Sequence, residues 1–178
     1  TGPGRSPVLA PNGMASTSHA LSTETAVNVL RNGGNAMDAA IAACAVQGVV
    51  EPESTGIGGD CFCLYSEGGS DKIIAMNGSG RAPAALTAEW LLNQGISEIV
   101  QHSPHAVTIP TAVDAWVQLN RDYGSKPLSY LLDPAIDYAE NGFPIGQRVA
   151  ADFAASRELI LRDPDMAEQY LNLSLIHI

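Results

Sequence analysis

Residues 31–60, RNGGNAMDAAIAACAVQGVVEPESTGIGGD, contain two glycine-rich patches separated by a segment that is almost free of charge. The segment Ala36–Val50 is apolar on every side, and Asp38 and Gln47 are its only polar residues. Such a helix is buried all round. A membrane span needs about 20 apolar residues, whereas this run is shorter and ends at Glu51. We therefore predict a core helix whose small side chains let other layers approach closely.

Helix-capping residues precede this core segment. Ser22 can cap a preceding helix, and Glu24 would fall in the first turn of that helix, where an acidic side chain is favourable. The glycine pair that starts at Gly33 supplies the stop signal. Asn35, with the acidic residue Asp38 three positions later, imitates a capping box and predicts the start of the core helix.

The rest of the chain contains strand-like and helix-like segments. Residues 61–65 and 72–76 predict a β-hairpin, because SEGGSD between them supplies turn residues. MASTS (14–18) and AVTIP (106–110) are two further strand-like runs. Helical spacing is present in TAEWLLNQG (87–95) and in 147–161. It is also present in 112–123, where Val113, Trp116 and Val117 lie on one face. Pro134 divides a further helical stretch into two predicted pieces, and Asp133 is expected to cap the second. Helices on a sheet in this order predict a layered α+β domain.

The charge of the chain limits its partners. The formal net charge is −10, and the 9 Lys and Arg residues are scattered along the 178 positions. Binding to nucleic acid or to anionic lipid needs clustered basic side chains, so we expect no nucleic-acid partner and no membrane partner. The first residues lack the basic-then-apolar pattern of an export leader, which favours the cytoplasm. A periplasmic or secreted location is the alternative if a leader was removed.

No pattern in the sequence predicts a metal site. Cys44, Cys61 and Cys63 lack the even count and regular spacing of a disulfide framework, and we expect three small buried side chains. His102 and His105 are three positions apart. A zinc site needs three or four ligands within reach, and no companion cluster is visible beside this histidine pair.

The glycine loop TGIGGD (55–60) follows a helix-like segment and precedes a strand-like one. A dinucleotide fingerprint needs the opposite order, so we expect no nucleotide cofactor. Gly56, Gly58 and Gly59 are instead predicted to turn the backbone sharply and to pack tightly between layers. No Ser or Thr lies in a nucleophile-elbow pattern, and the proline-rich context of Thr1 would not hold a nucleophile rigidly. No catalytic residue is therefore assigned in this chain.

The loop NGSGRAP (77–83) carries one distinctive group, the guanidinium of Arg81. At the end of a strand, such a fork could clamp a substrate carboxylate through two hydrogen bonds. It could equally cap a helix or pair with an acidic side chain, and the residues by themselves leave these alternatives open.

Three stretches together resemble one family. They are GMASTSHALSTETAVNVLRNGGNAMDAAIAACAVQGVVEPESTGIGGDCF (13–62), NGSGRAPAALT (77–87) and TIPTAVDAWVQLNRDYGSKPLSYLLDPAIDYAENGFPI (108–145). Each is similar to a landmark in the large subunit of the gamma-glutamyltranspeptidases. The resemblance runs from Arg5 to about Tyr170, and the tail LSLIHI (173–178) does not fit it and is expected to be foreign or misread sequence.

The resemblance implies an N-terminal-nucleophile hydrolase with a four-layer αββα sandwich, of which this chain would be the N-terminal portion of the large subunit. Members are made as one precursor that cuts itself into two subunits. The new N-terminal Thr of the small subunit attacks a gamma-glutamyl amide, and the glutamyl group passes to water, an amino acid or a peptide. The implied partners are a small-molecule amide substrate and the small subunit of the same precursor. No metal or organic cofactor is implied, and the nucleophile lies outside this chain, which by itself would be inactive.

The resemblance also points to two substrate-binding candidates, Arg81 and Ser79. Typical members place the arginine that grips the substrate's alpha-carboxylate two positions earlier, at the position of Ser79, so Arg81 is offset. We expect Arg81 to reach the pocket if the loop bends, because GSG is permissive. The GSGRAP form resembles a branch of less characterised bacterial relatives, for which glutathione need not be the substrate. A related acylase that cleaves a non-glutamyl amide, such as a beta-lactam side chain, and a non-enzymatic binding module are the alternatives.

Overall fold

The computed structural model of the chain describes residues 7–171, so the expectations for Thr1 and for the tail 173–178 lie outside the described residues. In chain order the elements are α1 (Ala20–Arg31), α2 (Ala36–Val50), β1 (Cys61–Ser66), β2 (Ile73–Gly78), α3 (Ala88–Asn93), a 3-10 turn (Pro104–Ala106), α4 (Ala112–Tyr123), α5 (Leu128–Asn141), α6 (Gln147–Ile160) and α7 (Pro164–Met166), which continues as a π-helical turn (Ala167–Leu171). The fold is mixed helix and sheet, and within residues 7–171 the β1–β2 hairpin is the only sheet.

Helix α2 begins and ends where the sequence predicts. Its N-cap is Asn35, whose side-chain oxygen accepts the Asp38 N–H at 3.0 Å, while the Asp38 carboxylate accepts the Asn35 N–H at 2.9 Å. The capping box is therefore confirmed. The preceding glycine stop is confirmed as well, because Gly33 has a φ of 79°, which glycine adopts without strain. Helices α1 and α5 pack against α2, and Ile41 and Val46 are buried between them and the other elements.

One face of α2 is exposed, so the prediction of burial on all sides is wrong for this face. Ala36, Ala40 and Cys44 are exposed, and Gln47 and Gly48 are half-buried. These residues recur every three or four positions and therefore share one side of the helix. Helices α1, α4 and α5 contact α2, and no element within residues 7–171 covers this remaining side. The expectation that Cys44 is buried is wrong for the same reason.

Helix α1 begins almost one turn earlier than the sequence predicts. Its N-cap is His19, whose Nδ1 accepts the Leu21 N–H at 3.2 Å, so Glu24 lies beyond the first turn. Ser22 is not a cap. It is fully buried inside the helix, where its hydroxyl donates to the Ala43 carbonyl of α2 at 2.8 Å. The hydroxyl finds its partner in the neighbouring helix, which the local sequence does not reveal.

The predicted hairpin is confirmed, with Cys61 of β1 opposite Gly78 of β2. Cys61 and Cys63 lie on its inner face and pack against the helical core, where both are half-buried rather than fully buried as expected. Phe62 and Leu64 lie on the outer face and are 68% and 78% exposed. Both faces of the hairpin are therefore apolar, although only the inner one is covered within the described residues.

Two predicted strands are absent from the described part of the chain. Residues 14–18 run without regular structure before α1. Ala106 ends the 3-10 turn, and residues 107–110 follow it in an irregular path. Ile109 donates its N–H to the Arg81 carbonyl at 3.1 Å, but no ladder continues from this bond. Pro110 comes next and has no N–H to donate, which ends strand pairing there.

Helix α4 has the predicted bounds but turns a different face to the core. Trp116 is buried as expected, whereas Val113 and Val117 are exposed, and Ala115 and Leu119 take their places in the core. Apolar residues lie on both of these faces, so helical spacing does not decide between them. The choice depends on where the hairpin and α2 lie.

Pro134 lies inside one continuous helix, so the prediction of two helical pieces is wrong. Asp133 consequently does not cap a second piece. Proline removes one helical N–H donor, but Leu131 and Ala135 are buried on either side of it, and α5 packs along α2. This packing holds the helix together across the missing bond. Thr87 caps α3 as predicted by accepting the Trp90 N–H at 3.1 Å. Helix α6 ends one residue before the predicted position and is followed by α7.

Candidate functional site

Three loop segments meet at the open end of the hairpin, and we call their meeting point the three-loop junction. Its segments are residues 59–60, residues 78–81 and residues 108–112. The Gly59 carbonyl accepts the N–H groups of Thr111 and Ala112 at 3.2 and 3.0 Å. These are donors at the N-terminus of α4 that have no partner within the helix. The glycine loop therefore anchors the start of α4.

The glycines of the GSG segment allow close contact with neighbouring segments. A Cβ atom at Gly80 would lie 1.7 Å from the Ile109 carbonyl oxygen, and one at Gly78 would lie 2.7 Å from the Ala115 Cβ. Neither glycine has a left-handed φ. The Thr111 hydroxyl donates to the Gly78 carbonyl at 2.6 Å. Backbone of a neighbouring segment occupies the space that any side chain at Gly80 would need, so the structure uses the glycine for close approach, and bending of the GSG segment stays a prediction.

Asp60 joins two of the three segments through one oxygen. Its Oδ1 accepts the Gly80 N–H at 3.1 Å and the Thr108 hydroxyl at 3.2 Å. Asp60 itself is exposed to solvent. No role was predicted for this residue, although a carboxylate at the end of a run of glycines was a signal available in GIGGD.

The two substrate-binding candidates lie side by side in this junction. Arg81 is exposed, and no ion pair within residues 7–171 involves its guanidinium. Ser79 is half-buried; its N–H donates to the Asn77 side chain at 3.0 Å and its hydroxyl to the Gly80 carbonyl at 3.4 Å. The structure thus leaves the Arg81 fork available to an anionic group and holds its backbone in a fixed loop.

A hollow of about 500 Å³ adjoins the junction on the side of the glycine loop. It is lined by Pro52, Ser54, Thr55, Gly56, Gly58, Gly59 and Asp60. A Cβ atom at Gly56, Gly58 or Gly59 would meet no atom within 4 Å. Within the described residues these glycines therefore do not pack tightly between layers, as the sequence analysis expected, but border open space.

A second polar group, which the sequence analysis also missed, follows the C-terminus of α2. Glu51 is buried and accepts a short hydrogen bond from the Ser18 hydroxyl, which itself accepts from Gln47 at 2.8 Å. Glu53 has a buried carboxyl oxygen without a hydrogen-bond partner among the described residues. Burial raises the pKa of Glu53, and the Glu51 and Asp152 carboxylates raise this pKa further. Acidic residues at the end of a nearly charge-free run were the available signal.

Neither a metal cluster nor a membrane helix emerges from the geometry of residues 7–171. No three His, Cys, Asp or Glu side chains in this part converge as metal ligands would. His105 instead packs edge-to-face with Trp90, and their ring centroids are 5.9 Å apart. No helix there combines the length and the apolar character that crossing a bilayer requires.

Comparison with protein families matches residues 22–176 to the gamma-glutamyltranspeptidase model. The chain belongs to the gamma-glutamyltranspeptidase family. The resemblance found in the sequence is thereby confirmed, and the three-loop junction is a feature of a gamma-glutamyltranspeptidase chain. The family match covers both candidate residues, Arg81 and Ser79, but assigns neither of them a role.

Individual relatives in the gamma-glutamyltranspeptidase family include several enzymes. The glutathione hydrolase-like YwrD proenzyme of Bacillus subtilis is 35% identical over 90% of this chain and 30% of its own length. The crystal structure of Helicobacter pylori gamma-glutamyltranspeptidase matches with a TM-score of 0.84 and 31% identity, over 92% of this chain and 47% of that one. Cephalosporin acylase from Bacillus halodurans matches with a TM-score of 0.82 and 40% identity, over 90% and 30%. The chain thus spans about a third of the length of the curated relative.

Proposed function

We propose that this chain is part of a gamma-glutamyltransferase-like amidohydrolase precursor, which transfers a gamma-glutamyl group from an amide to water, an amino acid or a peptide. The observation that carries the proposal is the family match over residues 22–176. The exposed guanidinium of Arg81, which forms no ion pair among the described residues, supports it, because a gamma-glutamyl substrate has a carboxylate for such a group to bind. Cleavage of a gamma-glutamyl anilide by the purified full-length precursor tests this activity, and complete inactivity would reject it.

In this proposal the chain supplies one wall of the substrate pocket, and the nucleophile is the N-terminal Thr of the small subunit. The exposed outer face of the hairpin supports a layered αββα arrangement, in which a second sheet covers Phe62, Leu64 and Ile73. Large apolar side chains in such a cluster are seldom left open to water in a finished domain. The small subunit is thus the proposed protein partner. A cytoplasmic location stays a prediction.

Within the proposed pocket, Arg81 holds the alpha-carboxylate of the gamma-glutamyl group. A planar guanidinium can donate two parallel hydrogen bonds to a carboxylate, which fixes both its position and its orientation. Holding that end of the substrate presents the amide at the other end to the nucleophile, which is a positioning contribution to catalysis. Ser79, at the place where typical members have the arginine, offers a single hydroxyl beside it.

Substitution of Arg81 in the full-length precursor tests this role. We expect Arg81→Ala to raise KM for gamma-glutamyl p-nitroanilide by about tenfold to a hundredfold, since a bidentate charged contact contributes roughly 1.5–3 kcal/mol. Arg81→Lys should recover only part of this loss, because lysine lacks the fork. Arg121→Ala, at an exposed arginine on α4, is the control. An unchanged KM in Arg81→Ala rejects the carboxylate contact.

A second candidate is an acylase that cleaves an amide without a glutamyl group. The 40% identity to a cephalosporin acylase favours it. Such an enzyme would need no carboxylate clamp, so gamma-glutamyl and simple acyl anilides assayed side by side separate the two. Preference for the simple acyl anilide, together with indifference to Arg81→Ala, would establish the acylase. A precursor that binds these amides without cleaving either would support the third alternative, a binding module.

A further inference from the structure

We propose that Asp60 is the positioning residue for the Arg81 carboxylate clamp. Its Oδ1 fixes the middle of the 78–81 loop and thereby sets where the guanidinium can reach. This inference rests on the proposed function of the site. Asp60 is distinct from the two substrate-binding candidates, because it acts through the loop and not through contact with the substrate.

The hairpin determines the position of Asp60 next to the 78–81 loop. Cys61 pairs with Gly78 as the last rung of the β1–β2 ladder. Asp60 is therefore the first residue beyond the ladder, and the 79–81 segment runs out beside it from the partner strand. A carboxylate at that point can accept an N–H group from the segment beyond the ladder, and it accepts the N–H of Gly80 at 3.1 Å.

The backbone carbonyls at both ends of the loop accept hydrogen bonds. At one end, the Gly78 carbonyl accepts from the Thr111 hydroxyl at 2.6 Å. At the other end, the Arg81 carbonyl accepts from Ile109 at 3.1 Å. Between them, the Gly80 N–H points to Asp60 and the only hydroxyl contact, that of Ser79, is long at 3.4 Å. Besides the Asn77 side chain, which accepts the Ser79 N–H at 3.0 Å, Asp60 is thus the side chain that holds the middle of the loop, and it does so from beside the other strand.

The same oxygen ties this loop to the third segment of the junction. Thr108 donates its hydroxyl to Asp60 Oδ1 at 3.2 Å, from a position 48 residues further along the chain. Gly80 is in turn pressed against the Ile109 carbonyl, so a small movement of the 108–112 segment would displace the loop. The Asp60 contact therefore adds to the two direct hydrogen bonds between these segments, from the Ile109 N–H to the Arg81 carbonyl and from the Thr111 hydroxyl to the Gly78 carbonyl, and it is the contact that holds the Gly80 N–H.

Asp60 holds the loop through its carboxylate without forming an ion pair with Arg81. The Asp60 carboxylate receives an N–H and a hydroxyl, and among the described residues it forms no ion pair with the guanidinium. Arg81 therefore keeps its charge and its donors for a ligand. Hydrogen bonds to a charged acceptor are stronger than neutral ones, which favours aspartate over asparagine for holding the loop.

The test uses Asp60→Ala and Asp60→Asn in the full-length precursor, with Asp71→Ala in the exposed hairpin turn as the control. We expect Asp60→Ala to raise KM for gamma-glutamyl p-nitroanilide about tenfold with kcat within about twofold of wild type, and to leave KM unchanged for an acyl anilide that lacks the alpha-carboxylate. Asp60→Asn should stay within about threefold of wild type, because its amide oxygen still accepts both bonds. An equal rise in KM for both substrates, or no rise, overturns the proposal.

Two variants of Thr108 test the same proposal if the Asp60→Ala precursor does not fold and cut itself into its two subunits. Thr108→Val removes one of the two bonds and should raise the same KM about threefold, whereas Thr108→Ser keeps the hydroxyl and should resemble wild type. If neither variant differs from wild type, the proposal is overturned.

Hydrogen exchange of the 77–83 peptide separates failure of this inference from failure of the proposed function. Asp60→Ala should exchange the Gly80 amide at least about tenfold faster than wild type, whatever the substrate of the enzyme. If the precursor cleaves no gamma-glutamyl amide, the proposed function fails, and unchanged exchange in Asp60→Ala overturns the role of Asp60 independently. Faster exchange in that case supports Asp60 as the residue that positions the loop.

Discussion

Asp38 and Asp60 each collect hydrogen-bond donors from distant parts of the chain, but they do so in opposite surroundings. Asp38 is fully buried at the start of α2 and accepts from Asn35, from the N–H and hydroxyl of Ser125, and from the Lys126 N–H. Asp60 is exposed at the three-loop junction and accepts two donors through one oxygen. The first joins the start of α2 to the loop between α4 and α5, 87 residues away, and the second joins loops.

The difference between the two aspartates follows from the cost of leaving donors unpaired. The Asp38 carboxylate is fully buried and its hydrogen bonds to Asn35, Ser125 and Lys126 are part-buried, so each donor that loses it while shielded from water costs roughly 1–3 kcal/mol. Around Asp60, water can replace the carboxylate, so little folding free energy is at stake. The buried anchor therefore mainly determines stability, whereas the exposed one mainly determines the geometry of a loop beside the candidate site.

The largest expected effect comes from breaking the buried anchor. Asp38→Ala in the full-length precursor should lower the free energy of unfolding by at least about 3 kcal/mol, because it leaves the donors of the 124–127 loop without an acceptor. Urea denaturation measures the loss. Asp114→Ala, at an exposed position on α4 that contacts Gln118, should change stability by less than about 0.5 kcal/mol. Equal effects of the two substitutions would contradict the comparison.

The acid dependence of stability sharpens the same comparison. Burial by itself would raise the pKa of Asp38, but hydrogen bonds from the Ser125 hydroxyl and from the N–H groups of Asn35, Ser125 and Lys126 outweigh it and lower this pKa. A lowered folded-state pKa means that the unfolded chain binds the proton more readily. The stabilisation is therefore complete above the ordinary carboxyl pKa and is lost as the pH falls through the lowered one.

Urea midpoints measured at a series of acidic pH values check this expectation. Wild type should lose stability steadily as the pH falls below the ordinary range of an aspartate, and Asp38→Asn should lose less over that interval because it has no proton to take up there. Parallel profiles for the two proteins would show that Asp38 titrates no differently in the folded and unfolded states.

Gly80→Ala disturbs the three-loop junction through the 78–81 loop and not through Asp60. The new Cβ would lie 1.7 Å from the Ile109 carbonyl oxygen, so the loop must move and the Asp60 contact must lengthen. We expect a rise of about tenfold in KM for gamma-glutamyl p-nitroanilide, with a loss of stability near 1–2 kcal/mol. Gly68→Ala, in the hairpin turn, is the matched control, because a Cβ there meets no atom within 4 Å. A normal KM in Gly80→Ala would mean that the loop position does not matter.

The smallest expected effect comes from Ser22, a single neutral hydrogen bond between α1 and α2. Ser22→Ala removes the donor to the Ala43 carbonyl and should lower the free energy of unfolding by about 1 kcal/mol. Ser129→Ala, on the exposed side of α5, should be neutral or slightly stabilising, because alanine has the higher helix propensity. A loss at Ser22 as large as that at Asp38 would remove the distinction between neutral and charged buried acceptors.

Much of the fold was readable from neighbouring residues. The bounds of α2 and α4, the Asn35–Asp38 capping box and the hairpin all depend on patterns a few positions long, and each is confirmed. The candidate site was only partly readable. Arg81 and Ser79 were found because they lie in one short loop, but their roles remain proposals, and Asp60 went unassigned because its partners are 20 and 48 positions away.

The sequence by itself determined where α2 and α4 begin and end and that the hairpin forms, because capping, periodicity and turn formation are local effects. It also determined which family the chain resembles. Only the tertiary structure decided that Ser22 bonds to α2, that α4 buries Ala115 in place of Val113, and that the Ile109 backbone lies close against Gly80. These outcomes depend on which distant backbone and side-chain atoms come within a few ångströms, and a local pattern carries no information about that distance.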